Sequence, residues 1–316
     1  MGCRVGVVTG EELLTYSFPR GHPMNADRLR EFFSGLQASG LKEAPGYVHV
    51  APCMADEEML ETFHTERHVN FVKKASEAGS GYLDYGDTPA FKGVFEAASY
   101  VVGSTAKVLE MVAKGEVDHG FNPMGGLHHA RRDASAGFCV FNDVGVAIEL
   151  ALRRWKLSPV LYVDMDAHHG DGVFYSYERS PEVYIADIHE DGRFLYPGTG
   201  FEHEVGKGAA EGTKLNLPLK PGSTDVDFEK ALQEAMGLAE RARPQLVILQ
   251  AGGDCLEGDP LTHLALTPAS HRLATRKLVQ LSHERCNGRM IVLGGGGYRP
   301  SAVAGAWLNV LQVLMH

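Results

Sequence analysis

The stretch VLYVDMDAHHGDG, which spans Val160–Gly172, decides the fold of this chain of 316 residues. It begins as an apolar run and ends in aspartate, histidine and glycine. A short run that is apolar throughout is typical of a strand buried on both faces, as in a parallel sheet covered by helices. VILQAGGDCLEGDP (Val247–Pro260) and MIVLGGGGYRP (Met290–Pro300) change from apolar to polar in the same way. Three strands are therefore expected to bring polar ends to one edge of a sheet, where open parallel sheets bind ligands.

The rest of the chain alternates between strand-like runs and helical periodicity. The predicted strands are Arg4–Val8, Tyr47–Val50, Val160–Asp164, Val183–Ile188, Lys214–Leu217, Leu246–Gln250 and Met290–Leu293. The predicted helices are Asn25–Ser39, Phe91–Lys114, Val144–Arg154, Val226–Arg241, Pro268–Arg285 and Ser301–Met315. This alternation predicts a doubly wound α/β fold. Because no repeat, low-complexity run or Pro/Ser-rich linker interrupts it, we expect one domain over residues 1–316.

The composition of the chain limits the partners and the cellular compartment that we expect for it. The formal net charge of −10 argues against a nucleic-acid partner and leaves a cationic substrate open. The five cysteines are scattered and include no C-x-x-C pair, so a disulfide framework is not expected and a reducing cytoplasm fits best. No signal-peptide pattern opens the sequence, and no run of 18 apolar residues predicts a membrane span. The oligomeric state is left open.

The polar end of Val160–Gly172 has the character of a metal site. If the chain stays extended, Asp164, Asp166 and His168 share one face. Such a group is costly to bury unless a cation neutralises it. A structural ion-pair network is the alternative, but Lys156 is the only nearby cation in the sequence. A mixed oxygen and nitrogen ligand set favours Zn²⁺, with Asp254 from the next apolar strand as the third ligand.

Two further features have residue types that catalysis uses. His128 and His129 are adjacent in a glycine-rich loop, and pairing with Asp164 and Asp171 would make two His–Asp dyads suited to general acid–base work. A histidine satisfied within the core is the alternative. Tyr298 follows four glycines, and its phenol is either a packing group or a donor to a developing oxyanion.

At this point the sequence resembles a known family. The segments GHPMNADR, GDTPA, GGLHHA, GFCVFND, VDMDAHHGDGV, YPGTG, GGDCLEGDPL and LGGGGY occur in the order seen in the zinc-dependent histone deacetylase family. That family includes bacterial acetoin-utilisation proteins and acetylpolyamine amidohydrolases. The resemblance covers 21–307 and implies the arginase/deacetylase fold, a three-layer α/β/α sandwich around an eight-stranded, mostly parallel sheet. It also implies an amidohydrolase that removes acetyl or other acyl groups from lysine or a related amine.

The resemblance assigns the chemistry residue by residue. Asp166, His168 and Asp254 correspond to the ligands of one catalytic Zn²⁺. Tyr298 corresponds to the residue that polarises the acyl carbonyl.

The two histidines have different implied roles. His129, backed by Asp171, corresponds to the general base, whereas His128, backed by Asp164, is expected to act electrostatically.

Substrate contacts are implied by resemblance as well. Phe138, next to Gly137, corresponds to one tunnel wall, and Tyr196 stands where the opposite wall usually has phenylalanine. Asp87 corresponds to a rim carboxylate that holds a peptide backbone. Arg28 corresponds to an arginine beneath the site.

Two positions depart from the common pattern. Asp187 stands where many members have serine, beside a structural monovalent cation. By resemblance, K⁺ or Na⁺ would contact Asp164, Asp166, His168, Asp187 and Ile188. Leu261 replaces the glutamate that some polyamine enzymes use as a gatekeeper, which favours acyl-lysine over acetylpolyamine substrates without excluding the latter.

Two other functions are alternatives. A binuclear manganese ureohydrolase of the same fold needs more carboxylates than the one that Asp254 supplies at its strand end. A non-catalytic acyl-lysine binder is disfavoured because the catalytic residue types are all present.

Overall fold

The strands of the fold form one sheet in which every pairing is parallel. The computed structural model of the protein describes residues 2–19 and 21–316. The strands are β1 (Val5–Val8), β2 (Tyr47–Val50), β3 (His119–Asn122), β4 (Val160–Asp164), β5 (Val183–Glu190), β6 (Lys214–Leu219), β7 (Leu246–Gln250) and β8 (Met290–Leu293). Their order is β2-β1-β3-β8-β7-β4-β5-β6. The predicted eight-stranded α/β architecture is confirmed, and the sheet is wholly rather than mostly parallel.

Helices cover both faces of the sheet. They are α1 (Asp27–Ala38), α2 (Glu57–Leu60), α3 (Glu66–Ala78), α4 (Val94–Ala113), α5 (Asp143–Arg153), α6 (Asp171–Tyr177), α7 (Asp225–Ala242), α8 (Pro268–Cys286) and α9 (Pro300–Leu314). Contacts link α1, α9, α8 and α7 in one group and α3, α4, α5 and α6 in another, which gives three layers. In the described part of the chain, no helix is both long and apolar enough to cross a membrane.

The sequence-based elements agree with the structure except in a few places. Strand β3 was missed because HGFN is short and polar at both ends, although its residues are all buried. Helices α2, α3 and α6 were also missed. The helix α6 begins at Asp171, immediately after the polar segment that follows β4, and its short pattern gave no periodic signal.

The strand order fixes where the polar ends meet. Strands β8, β7 and β4 are neighbours, and all of their residues are buried. Because they run in parallel, the segments after Leu293, Gln250 and Asp164 emerge side by side at the carboxyl edge of the sheet.

Candidate active site

The segment after β4 turns as soon as the strand ends. The prediction that Asp164, Asp166 and His168 share a face of an extended chain is wrong in its reasoning, because β4 stops at Asp164. The turn is held instead by carboxylates: the Asp166 N–H donates to Asp164 Oδ1 at 3.0 Å, and the His168 N–H donates to Asp166 Oδ1 at 3.1 Å.

Asp166, His168 and Asp254 nevertheless converge. Their potential ligand atoms lie within 4.8 Å of one another. The Nδ1 atom of His168 is 3.1 Å from Asp166 Oδ1 and 3.0 Å from Asp254 Oδ2. Gly296 permits this approach, since a Cβ there would lie 2.2 Å from Asp254 Oδ2. The loop after β8 therefore closes over the cluster only because it carries no side chain at that point.

The donor set of this cluster fits a divalent cation. Both carboxylates are buried, and two buried acids around one imidazole are unfavourable without added positive charge. Burial alone would lower the pKa of His168, but Asp166 and Asp254 outweigh it and raise that pKa to about 10. Burial and the charge of Asp166 raise the pKa of Asp254 to about 7. Two carboxylate oxygens and an imidazole nitrogen are ligands that Zn²⁺ accepts.

Each of the two adjacent histidines is backed by a carboxylate, as predicted. The Nδ1 atom of His128 is 2.7 Å from Asp164 Oδ2, and that of His129 is 2.8 Å from Asp171 Oδ1. The two Nε2 atoms lie 3.1 Å apart. One of these nitrogens must carry a proton and the other a lone pair for this contact to be a hydrogen bond.

The surrounding charges decide which histidine carries the proton. Burial would lower the pKa of His128, but Asp164 and Asp166 raise it to about 10. Burial and the neighbouring His128 lower the pKa of His129 to about 4 in spite of Asp171. These shifts favour His128 as the donor in the contact and His129 as the acceptor.

Tyr298 stands on the other side of the cluster. Its backbone N–H donates to Asp259 Oδ2 at 2.8 Å, while Asp259 Oδ1 accepts the Leu261 N–H at 2.9 Å. Asp259 thus ties the tyrosine loop to the segment after β7. Burial, then the charges of Asp254 and Asp166, raise the pKa of Tyr298 well above 10, so its hydroxyl stays protonated and can donate.

Arg28 lies beneath this loop, where the resemblance placed it. Its Nη1 donates to the Gly295 carbonyl at 2.8 Å, and its guanidinium carbon is 5.5 Å from the centre of the Trp307 ring. The side chain is buried on helix α1.

Two aromatic side chains flank the approach to the cluster. Tyr196 packs 5.1 Å from His129 between ring centres, and Phe138 packs 5.8 Å from Tyr298. Phe138 has a φ of 67°, which is rare for a bulky residue and marks a constrained position. Tyr16 holds it there by donating its hydroxyl to the Phe138 carbonyl at 2.7 Å.

Gly137, the residue before Phe138, explains how tightly this loop packs. Gly137 has a φ of 53°, and a Cβ there would lie 2.6 Å from His129 Cδ2 and 3.0 Å from the Tyr196 ring. Glycine at this position therefore keeps the space between His129 and Tyr196 open.

The rim is a separate, exposed loop. Asp87 and Tyr196 both line a cavity of about 450 Å³ that also includes Asp84 and Arg131. Asp84 Oδ1 accepts the backbone N–H groups of Gly86, Asp87 and Thr88, which shapes the loop. Burial and the nearby Asp84 raise the pKa of Asp87 to about 7. Asp87 is thus present at the mouth, and Leu261 is 37% exposed.

Asp187 has partners within the chain. Its Oδ1 is 2.7 Å from His189 Nδ1, and its Oδ2 accepts the Gly170 N–H at 2.9 Å. His189 Nε2 is 2.8 Å from the Gly200 carbonyl, so both ring nitrogens face acceptors and the ring is an imidazolium. The residue that departs from the family pattern is therefore matched by a buried positive charge.

Several residues that support the site were not predicted. Gln250 Nε2 and the Gly296 N–H both donate to Asp166 Oδ2 at 2.7 Å. Arg131 Nη2 donates to Asp171 Oδ2 at 3.2 Å. Asp259 carried a weak signal, since it is an acid after the same strand as Asp254, but nothing in its spacing indicates a backbone contact.

Comparison with known proteins shows the family to which the chain belongs. The histone deacetylase domain family matches residues 22–314. The chain is 38% identical over 309 residues to the acetoin utilization protein AcuC of Bacillus subtilis, covering 94% of this chain and 79% of that protein. It is 32% identical to a probable deacetylase of Archaeoglobus fulgidus, covering 93% and 81%. The crystal structure of the HDA15 HD domain superposes with a TM-score of 0.91 at 30% identity, covering 99% of this chain and 88% of that one. The chain belongs to the histone deacetylase family.

Proposed function

We propose that this chain is a zinc-dependent amidohydrolase that removes acetyl or other acyl groups from the side-chain amine of lysine or from a related amine. Membership of the family makes it a hydrolytic deacetylase; the metal, the residue roles and the substrate belong to the proposal. The observation that carries it is the convergence of Asp166, His168 and Asp254 beside two histidine–carboxylate pairs.

Asp166, His168 and Asp254 would hold the zinc ion. When bound, zinc supplies Lewis acidity toward water and toward the acyl carbonyl. The Asp259 carboxylate is engaged by two backbone N–H groups, which argues against its serving as a ligand of a second metal. We therefore propose one catalytic metal and set aside the binuclear ureohydrolase.

His129 would take the proton of the attacking water. Its lowered pKa keeps it neutral at physiological pH, and Asp171 fixes the Nδ1–H tautomer, so Nε2 is the basic atom. This atom would exchange its contact with His128 for the water whose proton it takes. A positioned base of this kind contributes roughly 10²–10⁴-fold to rate.

Tyr298 would stabilise the negative charge that develops on the acyl oxygen. Its hydroxyl stays protonated because burial and nearby carboxylates raise its pKa. The leaving amine then needs a proton, and His129 would return the one that its Nε2 took from water, with His128 Nε2 3.1 Å away.

The two aromatic rings that flank the approach to the cluster favour an extended acyl-lysine chain as substrate. Phe138 and Tyr196 present rings toward the approach, which suits an apolar methylene chain. A small acylated amine, including an acetylpolyamine, is the second candidate. It is favoured by the acidic rim, where Asp84 and Asp87 lie together in the outer cavity.

A side-by-side assay separates these substrates. Zinc-loaded protein is given acyl-lysine peptides of increasing acyl length and acetylated polyamines. Above about pH 8, where Asp87 is ionised, Asp87→Ala should raise KM for peptides by roughly tenfold or more, because hydrogen bonds to a charged acceptor contribute about 1.5–3 kcal/mol. It should change KM for a small acetylated amine without a backbone much less.

Glu211→Ala is the matched control, because it removes an exposed acid near the amino end of β6. Equal effects of Asp87→Ala on both substrate types would show that Asp87 shapes the loop rather than binding peptide. No turnover of any acylated amine would contradict the proposed function itself.

The structural K⁺ or Na⁺ remains a prediction from resemblance. Because His189 already supplies a positive charge to Asp187, we expect turnover to be nearly independent of added K⁺. Steep activation by K⁺ in the wild-type protein would contradict this expectation.

A further inference from the structure

A second group of potential metal ligands lies at the opposite edge of the sheet from the active site. Cys3 precedes β1, His119 is the first residue of β3, and His283 lies in the last turn of α8. Strands β1 and β3 are parallel neighbours, so their amino ends adjoin. The Cys3 sulfur and a ring nitrogen of each histidine lie within 4.8 Å of one another.

His119 is the least satisfied member of the group. Its side chain is 0% exposed. The Gly288 backbone lies close to it, yet neither ring nitrogen has a hydrogen-bond partner among residues 2–19 and 21–316. A buried imidazole without any partner is unfavourable, since buried polar atoms are nearly always satisfied by protein, water or an ion.

The spacing of the other two ligands matches a tetrahedral metal. Cys3 Sγ is 3.5 Å from His283 Nε2. Zinc at ~2.3 Å from sulfur and ~2.0 Å from nitrogen holds those two atoms ~3.5 Å apart in tetrahedral geometry. The ring of His119 lies 5.2 Å from that of His283, nearly perpendicular to it, so small movements would direct both rings to one ion.

A thiol–imidazole hydrogen bond is the simpler explanation of the contact between Cys3 and His283. It leaves both nitrogens of the buried His119 without a partner, whereas an ion would bind one ring nitrogen of each histidine together with the Cys3 sulfur. We propose that Cys3, His119 and His283 form a zinc site, separate from the catalytic centre, with solvent at a fourth position. Binding would join the segment before β1 to β3 and α8 and release the thiol proton.

Cobalt substitution tests this site apart from the catalytic one. The catalytic ligands include no sulfur, so a near-ultraviolet thiolate-to-Co²⁺ charge-transfer band in metal-stripped, Co²⁺-titrated full-length protein reports a cysteine ligand. We expect this band in the wild type and its loss in Cys3→Ser. Cys53→Ser, which alters another solvent-accessible cysteine, should keep the band.

The histidines supply the second measurement. His283→Gln changes an exposed side chain and should weaken Co²⁺ binding, followed by the same band, on the order of tenfold or more. Bound Co²⁺ should fall by one equivalent in Cys3→Ser, while deacetylase turnover is kept. Absence of the band in the wild type, or its persistence in Cys3→Ser, would overturn the second site and leave the proposed function untouched.

Discussion

The two histidine–carboxylate pairs have nearly the same contact and opposite chemistry. His128 lies 2.7 Å from Asp164, and His129 lies 2.8 Å from Asp171. The pKa of His128 is raised to about 10, whereas that of His129 is lowered to about 4. The paired carboxylate therefore does not decide whether a histidine is an acid or a base.

What differs is the charge around each pair. Asp164 adjoins further buried acids, Asp166 and Asp187, and their summed field favours an imidazolium at His128. Asp171 is instead contacted by Arg131, which offsets part of its charge. A metal bound at Asp166 would reduce the field on the first pair.

The largest expected effect is that of removing the proposed base. His129→Ala should lower kcat by roughly 10²–10⁴-fold, because it removes the group that would accept the proton of the attacking water. Steady-state kinetics on the best acyl-lysine peptide would measure it, with circular dichroism to confirm folding. A loss smaller than that of His128→Ala would mean that the two roles are reversed.

The next largest effect is expected from changing Tyr298, on the opposite side of the site. This change leaves both histidine–carboxylate pairs intact. Tyr298→Phe removes one hydroxyl and should lower kcat by roughly 10²–10³-fold, the cost of losing one oxyanion donor. KM should change little, since the ring remains. Near-normal turnover would make Tyr298 a packing residue against Phe138.

His128→Ala should lower kcat less than either His129→Ala or Tyr298→Phe. It removes a charge-assisted hydrogen bond of about 1.5–3 kcal/mol, which corresponds to roughly 10- to 100-fold in rate. Its thermal midpoint should also fall, because Asp164 would lose a buried partner. An unchanged rate would assign the proton of the leaving amine wholly to His129.

The smallest expected effect comes from changing the charge beside the His129–Asp171 pair, and it tests the contrast between the two pairs directly. Arg131→Gln removes the cation beside Asp171, which should raise the pKa of His129. Because the base acts when neutral, the acid limb of kcat/KM should move to higher pH. The Arg131 side chain is 60% exposed, so a shift of about 0.1–0.7 pH units is expected. A shift to lower pH would contradict the assignment of His129 as the base.

The sequence was sufficient to predict the positions of site residues that directly follow the ends of strands. Asp166 and Asp254 could be placed because a buried apolar run before each one identifies a neighbouring parallel strand. The roles of His128 and His129 came from resemblance, since spacing alone cannot give the field of acids brought in by other strands. Strand β3 was not predicted because polar residues such as His119 do not indicate a buried strand. Their burial depends on other elements that pack around β3.

Supporting residues were missed for a related reason. Asp84 and Asp259 bind backbone N–H groups of their own or a facing loop, and such contacts depend on backbone geometry that residue type does not specify. The positive φ of Phe138 is likewise imposed by Tyr16, a residue far away in the chain.

Zinc reconstitution of the metal-stripped Cys3→Ser protein tests the central claim most directly. This variant removes the sulfur ligand of the second site, so added zinc reports the catalytic centre. Turnover of an acyl-lysine peptide should rise linearly and reach a plateau at one bound equivalent. A plateau that requires two equivalents, or turnover that is unchanged by removing and restoring zinc, would contradict the account of Asp166, His168 and Asp254 as the ligands of a single catalytic zinc ion.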